Sequence, residues 1–177
     1  MPSIESDLRD WSSKVLEVPN PALAGLPACP YAKQAWKDNK VKVLEVSDVL
    51  KGSVKEAKAF SSNDYELVVV ASYNIPDVDN FSLYIECLND RYKELHFMGF
   101  HPEYGAEEAG LDFLYEHEWD SNIEEEYCML FVQSLSQVDD ASLKLEKLGY
   151  YKVYPKEEYE TLVLDRRNRR KQNGDET

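Results

Sequence analysis

The sequence predicts an α/β (α+β) domain, a single layer of about four mixed strands packed by helices. Short apolar runs such as Leu67-Val68-Val69-Val70-Ala71 alternate with stretches whose apolar residues recur at helical spacing, such as Val78, Phe81, Ile85, Leu88 and Tyr92. Helix caps and chain breakers separate the two kinds of segment, among them Asp77, Gly149 and Pro155. A chain of 177 residues with 43% apolar side chains is also long enough to bury one core.

The elements follow in order. Ile4, Leu8, Trp11 and Val15 predict a helix over 5–17. Pro19, Pro21, Gly25 and Pro27 predict an extended segment. A short helix is expected to start at Pro30, because proline suits a first helical turn, with Cys29 just before it. Residues 40–47, with Val41 and Val43 alternating, read as a strand. Ser53 and Glu56 match a capping box for a helix ending near Phe60. Residues 66–72 read as a buried strand, and Asp77 is expected to cap the clearest helix. Residues 94–100 and 127–133 read as the third and fourth strands. Residues 102–125 between them are acidic and mixed, with a helical turn expected near 111–118. Ser136 and Asp139 are expected to cap a helix that Gly149 stops. Pro155 opens the last helix, with Glu157 and Glu158 in its first turn and Arg166, Arg167, Arg169, Arg170 and Lys171 in its last, as the helix dipole favours. One domain over 1–171 follows, with 172–177 as a frayed tail. A ferredoxin-like split β-α-β arrangement is the nearest named alternative.

Composition excludes collagen-like, low-complexity and wholly disordered chains. With 20 Lys+Arg against 34 Asp+Glu, the net charge of −14 disfavours nucleic acid as a partner. Tyrosines 150, 151, 154 and 159 beside the basic cluster are the one feature on the other side of that balance. No stretch approaches the roughly 18 apolar residues of a membrane span, and residues 1–30 carry no basic-then-apolar signal pattern. Cys29, Cys87 and Cys128 are odd in number and widely spaced, so a reducing, cytoplasmic setting is expected. No glycine-rich phosphate loop or nucleophile-elbow motif is present.

The charge is unevenly placed. Residues 94–143 contain 13 carboxylates and no Lys or Arg, and they hold all three histidines, His96, His101 and His117. Neutral imidazoles beside carboxylates suit a divalent metal, so His96, His101 and His117 are candidate ligands for iron, zinc or manganese. His96 and His101 are five residues apart, which on a straight strand puts them on opposite faces. A shared metal therefore needs a bend at Gly99 or Pro102. Glu103, near Glu107 and Glu108, is a candidate general base, because crowded carboxylates raise one another's pKa. Cys29 at a helix start is a candidate nucleophile or ligand, because the dipole favours its thiolate. Each has a plain structural reading too: satisfied histidines, solvated carboxylates and a small buried thiol.

Two segments, Gly25-Leu26-Pro27-Ala28-Cys29-Pro30-Tyr31-Ala32-Lys33 followed by Trp36, and Gly99-Phe100-His101-Pro102-Glu103-Tyr104, carry a resemblance. Over about residues 10–105 the chain resembles an uncharacterised bacterial domain-of-unknown-function family with Leu-Cys-Pro-Phe-Ala-Lys and Phe-His-Pro-Asp-Tyr segments. After Tyr104 it lacks the family's Asn-Arg-Ser-Pro-Tyr-Pro and Leu-His-Leu-Leu-Arg-like segments. The resemblance implies no activity; it implies that Cys29 and His101 are to be weighed as a pair. Two functions stay open. One is a small metal-dependent or redox enzyme acting on a small-molecule substrate through Cys29, His101 and Glu103. The other is a non-enzymatic acidic interaction or regulatory protein docking on a basic protein partner, with Phe113, Tyr115, Trp119 and Tyr127 interleaved among the carboxylates.

Overall fold

The computed structural model describes residues 3–104 and 127–175. Helix α1 (Ile4–Trp11) runs on through a π turn (Ser12–Leu16); the proline-rich segment expected to be extended holds a 3-10 turn (Pro21–Leu23) capped by the Asn20 side chain, and α2 (Ala32–Lys37) starts after Tyr31 and not at Pro30. Then come β1 (Val41–Glu45), α3 (Val49–Ala59), β2 (Leu67–Ser72), α4 (Val78–Arg91) and β3 (Leu95–Phe100). After residues 105–126, which lie outside the described residues and include the turn expected near 111–118, come β4 (Cys128–Ser134) and α5 (Leu135–Lys147). The chain ends in α6 (Lys156–Tyr159), a π turn (Glu160–Leu164) and α7 (Asp165–Asp175).

The four strands form one mixed sheet in the order β1-β2-β4-β3. β1 is parallel to β2, while β4 is antiparallel to both β2 and β3. β1, β2 and β3 therefore run the same way, and β2-α4-β3 is a β-α-β unit split by the returning β4. The ferredoxin-like alternative needs two split units. Here the first unit is unsplit, because β1 and β2 are hydrogen-bonded neighbours and β1 lies at an edge.

β2 and β4 are the central strands, and their side chains are buried on both faces. Val68, Val70, Leu130 and Val132 join Val49, Phe81, Leu88 and Phe97 beneath α3 and α4. Val69, Ala71, Met129 and Phe131 join Ile4, Leu8, Trp11 and Val15 beneath α1 on the other face. The alternation is the period of two that strands impose. A third small cluster, Leu23, Leu145 and Tyr150, ties the proline-rich segment to α5 and the turn after it. No described helix is long and apolar enough to cross a membrane.

Two helix caps differ from the sequence pattern. Asp48, not Ser53, caps α3 and accepts from the backbone N–H groups of Leu50 and Lys51. Ser53 lies inside the helix and donates its hydroxyl to Val49 O at 2.5 Å. Ser134, not Ser136, caps α5, because β4 runs into the helix without a loop. Asp139 is then an interior helical residue. The C-terminal helix also continues past Gln172 to Asp175, where a frayed tail was expected; Asn173 Nδ2 donates to Lys93 O at 2.6 Å and holds it to the start of β3.

The outer edge of β3 is capped at Phe97 by a side chain. Asn89 of α4 donates Nδ2 to Phe97 O at 3.0 Å and accepts from Phe97 N at 2.9 Å, as a neighbouring strand would. This close approach of α4 depends on Gly99. A methyl group there would collide with Ile85 and come within 2.7 Å of Phe81 Cε1. Gly99→Ala should therefore destabilise the fold by about 1–3 kcal/mol. Urea unfolding followed by circular dichroism should show a lower midpoint at unchanged slope; an unshifted midpoint would show that α4 moves away at no cost.

Candidate functional site

In open α/β sheets, ligands bind in the crevice outside the carboxyl ends of the parallel strands. Here that end gathers Glu45, Val46 and Ser47 after β1 with Ser72, Tyr73 and Asn74 after β2, around a shallow cleft of about 390 Å³. Asn74 fixes the two loops together. Its Nδ2 donates to Ser47 O at 2.8 Å, and its backbone N–H donates to Ser72 Oγ at 3.0 Å.

Helices α3 and α4 also start at this end, and their free N–H groups are taken by the chain's own carboxylates. Asp48 serves α3, and Asp77 accepts from Asn80 N in α4. Hydrogen bonds from Lys51 hold the Asp48 carboxyl below its ordinary range. The helix starts therefore do not offer the anion-binding donors usual at such a position.

What projects from this end is apolar and acidic, apart from Lys51, which is ion-paired to Asp48. Tyr73 is 55% exposed and Ile75 40% exposed. Glu45, Asp77, Asp79 and Glu103 are exposed around them. Tyr73 is nonetheless held. Its ring meets the buried Tyr127 ring edge-on at 4.8 Å, and the two hydroxyls lie 3.3 Å apart. Tyr127 OH in turn donates to Asp7 Oδ2 at 2.7 Å. Burial, then the bonds to Tyr73 and Asp7, push the Tyr127 hydroxyl pKa up, so it remains a donor.

The expected catalytic residues are not assembled. His101 is 3% exposed, and both its ring nitrogens are occupied. Nε2 lies 2.8 Å from Pro76 O, which can only accept, and Nδ1 lies 3.1 Å from the Glu103 backbone N–H, which can only donate. These partners fix a neutral Nε2–H tautomer with no lone pair left for a metal or a substrate proton. The ring also packs against Phe81 and Tyr104. His101 is thus a strut that pins the end of β3 to the loop before α4. Glu103 contributes its backbone to that strut while its side chain faces solvent.

Cys29 packs elsewhere. Its backbone N–H donates to Leu16 O at 2.9 Å, and the neighbouring Ala28 carbonyl accepts from Tyr150 OH at 2.6 Å. Burial pushes its thiol pKa up against the lowering hydrogen bonds of Tyr31 and Ala32. The helix dipole thus does not prevail at this thiol; the following helix, α2, has only six residues. Cys87 is exposed on α4, and Cys128 is buried in β4 with its pKa raised by burial to about 12.

His96 lies on the face of β3 opposite to Phe97 and away from His101, as strand parity requires. Its Nδ1 lies 3.1 Å from Arg169 Nη2, which donates to it. Burial first, then the Arg166 and Arg169 charges, lower its pKa to about 3. A site so flanked repels a cation. His117 lies outside the described residues. Among the described residues, no group of three His, Cys, Asp or Glu side chains stands close enough to hold a metal ion.

The sequence pattern assigned the C-terminal arginines to the helix dipole, but they are largely folded inward. Asp139 of α5, with a side chain only 6% exposed, lies 3.3–3.7 Å from Arg166, Arg167 and Arg170. Arg167 also pairs with Glu146 at 2.9 Å, and Arg170 with Asp140 at 2.7 Å. Arg169 meets Leu95 O and His96 at the first residues of β3, the end of that strand opposite to His101. The only sequence signal for this was the i, i+1 carboxylates Asp139 and Asp140 on one helix and the arginine run on another.

Comparison with protein-family models, with curated proteins and with solved structures finds no match to the chain.

Two outcomes follow from the histidines. His101→Ala removes the ring packing and leaves Pro76 O and the Glu103 N–H unpaired, so it should cost about 2–4 kcal/mol of stability in urea unfolding. A fully stable variant would return His101 to consideration as a reactive group. For His96, the unfolded chain takes up a proton near pH 6.5 but the folded chain only near pH 3. Stability contributed by neutral His96 is therefore present above pH 6.5 and lost as pH falls, by about 1.4 kcal/mol per unit down to about pH 3. Between pH 6.5 and 5, His96→Gln should flatten that slope in parallel unfolding curves; equal slopes would disprove the assignment.

Proposed function

We infer that the protein is a non-enzymatic interaction module whose acidic end docks on a basic protein partner. One observation carries this reading: exposed Tyr73 and Ile75 share with the exposed carboxylates of Glu45, Asp77, Asp79 and Glu103 the end of the sheet that holds Tyr104 and Tyr127, the residues on either side of 105–126. Those 22 residues hold nine carboxylates and no Lys or Arg. Their flanking residues, Tyr104 after β3 and Tyr127 before β4, belong to that end of the sheet. The chain's densest cationic cluster lies at the other end of β3, paired with Asp139, Asp140 and Glu146. It does not neutralise the acidic end.

The physical division of labour is familiar from protein interfaces. Concentrated like charge steers a complementary partner and sets the encounter rate. A held aromatic side chain supplies affinity at low entropic cost, because its rotamer is fixed before binding. Tyr73, fixed by Tyr127 and through it by Asp7, meets that condition. The complementary surface is an apolar recess rimmed by Lys and Arg. The enzyme reading has no assembled site to rest on among the described residues, since His101 and Cys29 pack against different groups and His101 has no free nitrogen.

The test is fluorescence anisotropy with a labelled peptide of alternating Arg and Leu, titrated at 50 and 300 mM salt. Binding should weaken at least tenfold at the higher salt. The double variant Tyr73→Ser, Ile75→Ser should weaken it about tenfold at either salt, equivalent to about 1.4 kcal/mol. Salt-independent binding, or binding unchanged in that variant, would overturn the reading.

A further inference from the structure

We propose that the cleft between α5 and α7 is an oxyanion site for a small phosphate monoester, separate from the acidic end. This cleft of about 410 Å³ is lined by Asp139, Leu143, Arg167, Arg170 and Lys171. Around it, Arg166, Arg167 and Arg170 share the three carboxylates Asp139, Asp140 and Glu146. Arg169 and Lys171 make no ion pair with the described residues. The residues that line the cleft are three cations, Arg167, Arg170 and Lys171, and one carboxylate, Asp139, although the whole chain is at −14.

The donor geometry shows where an anion fits. Arg170 spends both of its bonds, to Asp139 and Asp140, through Nη1. Its Nε and Nη2 form the guanidinium edge that takes two oxygens of a phosphate at once. Lys171 is exposed on the same wall and adds a point charge. Behind them, Arg166 Nε and Nη2, Arg167 Nε and Arg169 Nε are buried without a hydrogen-bond acceptor. They touch no ligand directly, but buried charges are poorly screened and add to the potential in the cleft.

Asp139 has a definite part. Its carboxylate lies within 3.7 Å of three guanidiniums and accepts a hydrogen bond from Arg170, which holds Arg170 Nη1 inward and leaves its other edge to the cleft. A dianionic phosphate monoester matches the excess of cations lining the cleft better than a carboxylate does. Leu143, 40% exposed, gives the organic part of the ester an apolar wall.

The experiment is ³¹P NMR titration of phenyl phosphate against the full chain, with benzoate as the carboxylate competitor and chloride holding ionic strength constant. Saturable binding should appear, with benzoate at least fivefold weaker. Lys171→Glu changes an exposed side chain that makes no hydrogen bond or ion pair with the described residues, and it should weaken binding about tenfold. Arg170→Lys keeps the charge but loses the forked edge, and it should weaken binding about fivefold. Reversal at the acidic end, Glu45→Lys with Glu103→Lys, leaves both helix caps in place; it should leave phenyl phosphate binding unchanged while abolishing the salt-dependent peptide binding. The proposal falls if binding is not saturable, if Lys171→Glu binds as the parent does, or if the acidic-end variant alters phosphate binding.

Discussion

The antiparallel pairing of β2 with β4 is the contact on which the rest of the molecule depends. Val68 faces Val132 and Val70 faces Leu130 across it, and the intervening residues fill the opposite core. Both cores are therefore built from the same two strands, so neither layer of helices has a sheet face without this pairing. The same insertion places β4 between β2 and β3 and brings its first residues level with the last residues of β3. The end of β3 and the start of β4 consequently lie at the same end of the sheet as the loops that follow β1 and β2.

That end is held by short polar fastenings rather than by packing alone. Asn74 joins the loop after β2 to the loop after β1, His101 joins the end of β3 to Pro76, and Tyr127 joins β4 to Asp7 of α1. Each links segments far apart in sequence, and each occupies a side chain that in isolation resembles a reactive group. A buried imidazole with a carbonyl on one nitrogen and an amide on the other contributes rigidity instead of chemistry. Rigidity suits recognition, because a surface fixed beforehand loses little freedom on binding.

Much of the fold was legible because it rests on local patterns. The stripe of α4, the apolar runs of β2 and β4, and the stop at Gly149, which adopts a positive φ of 84°, are all read from neighbouring residues. Parity alone separated His96 from His101. The caps of α3 and α5 were misplaced because Ser53 and Ser136 imitate cap patterns while Asp48 and Ser134 do the capping at strand-to-helix junctions. Strand order was not legible, since it depends on pairings between residues some sixty apart, such as Val70 with Leu130. The role of His101 was hidden for the same reason: its deciding partner, Pro76 O, lies 25 residues away. The inward fold of the arginines depends on α5 and α7 meeting, which neither segment announces by itself.

The amide of Asn89 has a bearing on how copies of this molecule behave toward one another. A sheet grows into a fibre only when both outer strands offer unused backbone groups. On β3, the Phe97 N–H and C=O are satisfied by Asn89, and the Leu95 carbonyl lies 3.5 Å from an Arg169 donor. On the opposite side, the ladder between β1 and β2 starts at Lys40 O and ends at Val46 N, so the backbone groups of Val41, Val43 and Glu45 point away from the sheet. Pairing of β1 with β1 of a second copy would leave only the two β3 edges outside, where Asn89 stands in for a neighbouring strand at Phe97, so this side chain opposes growth beyond two copies.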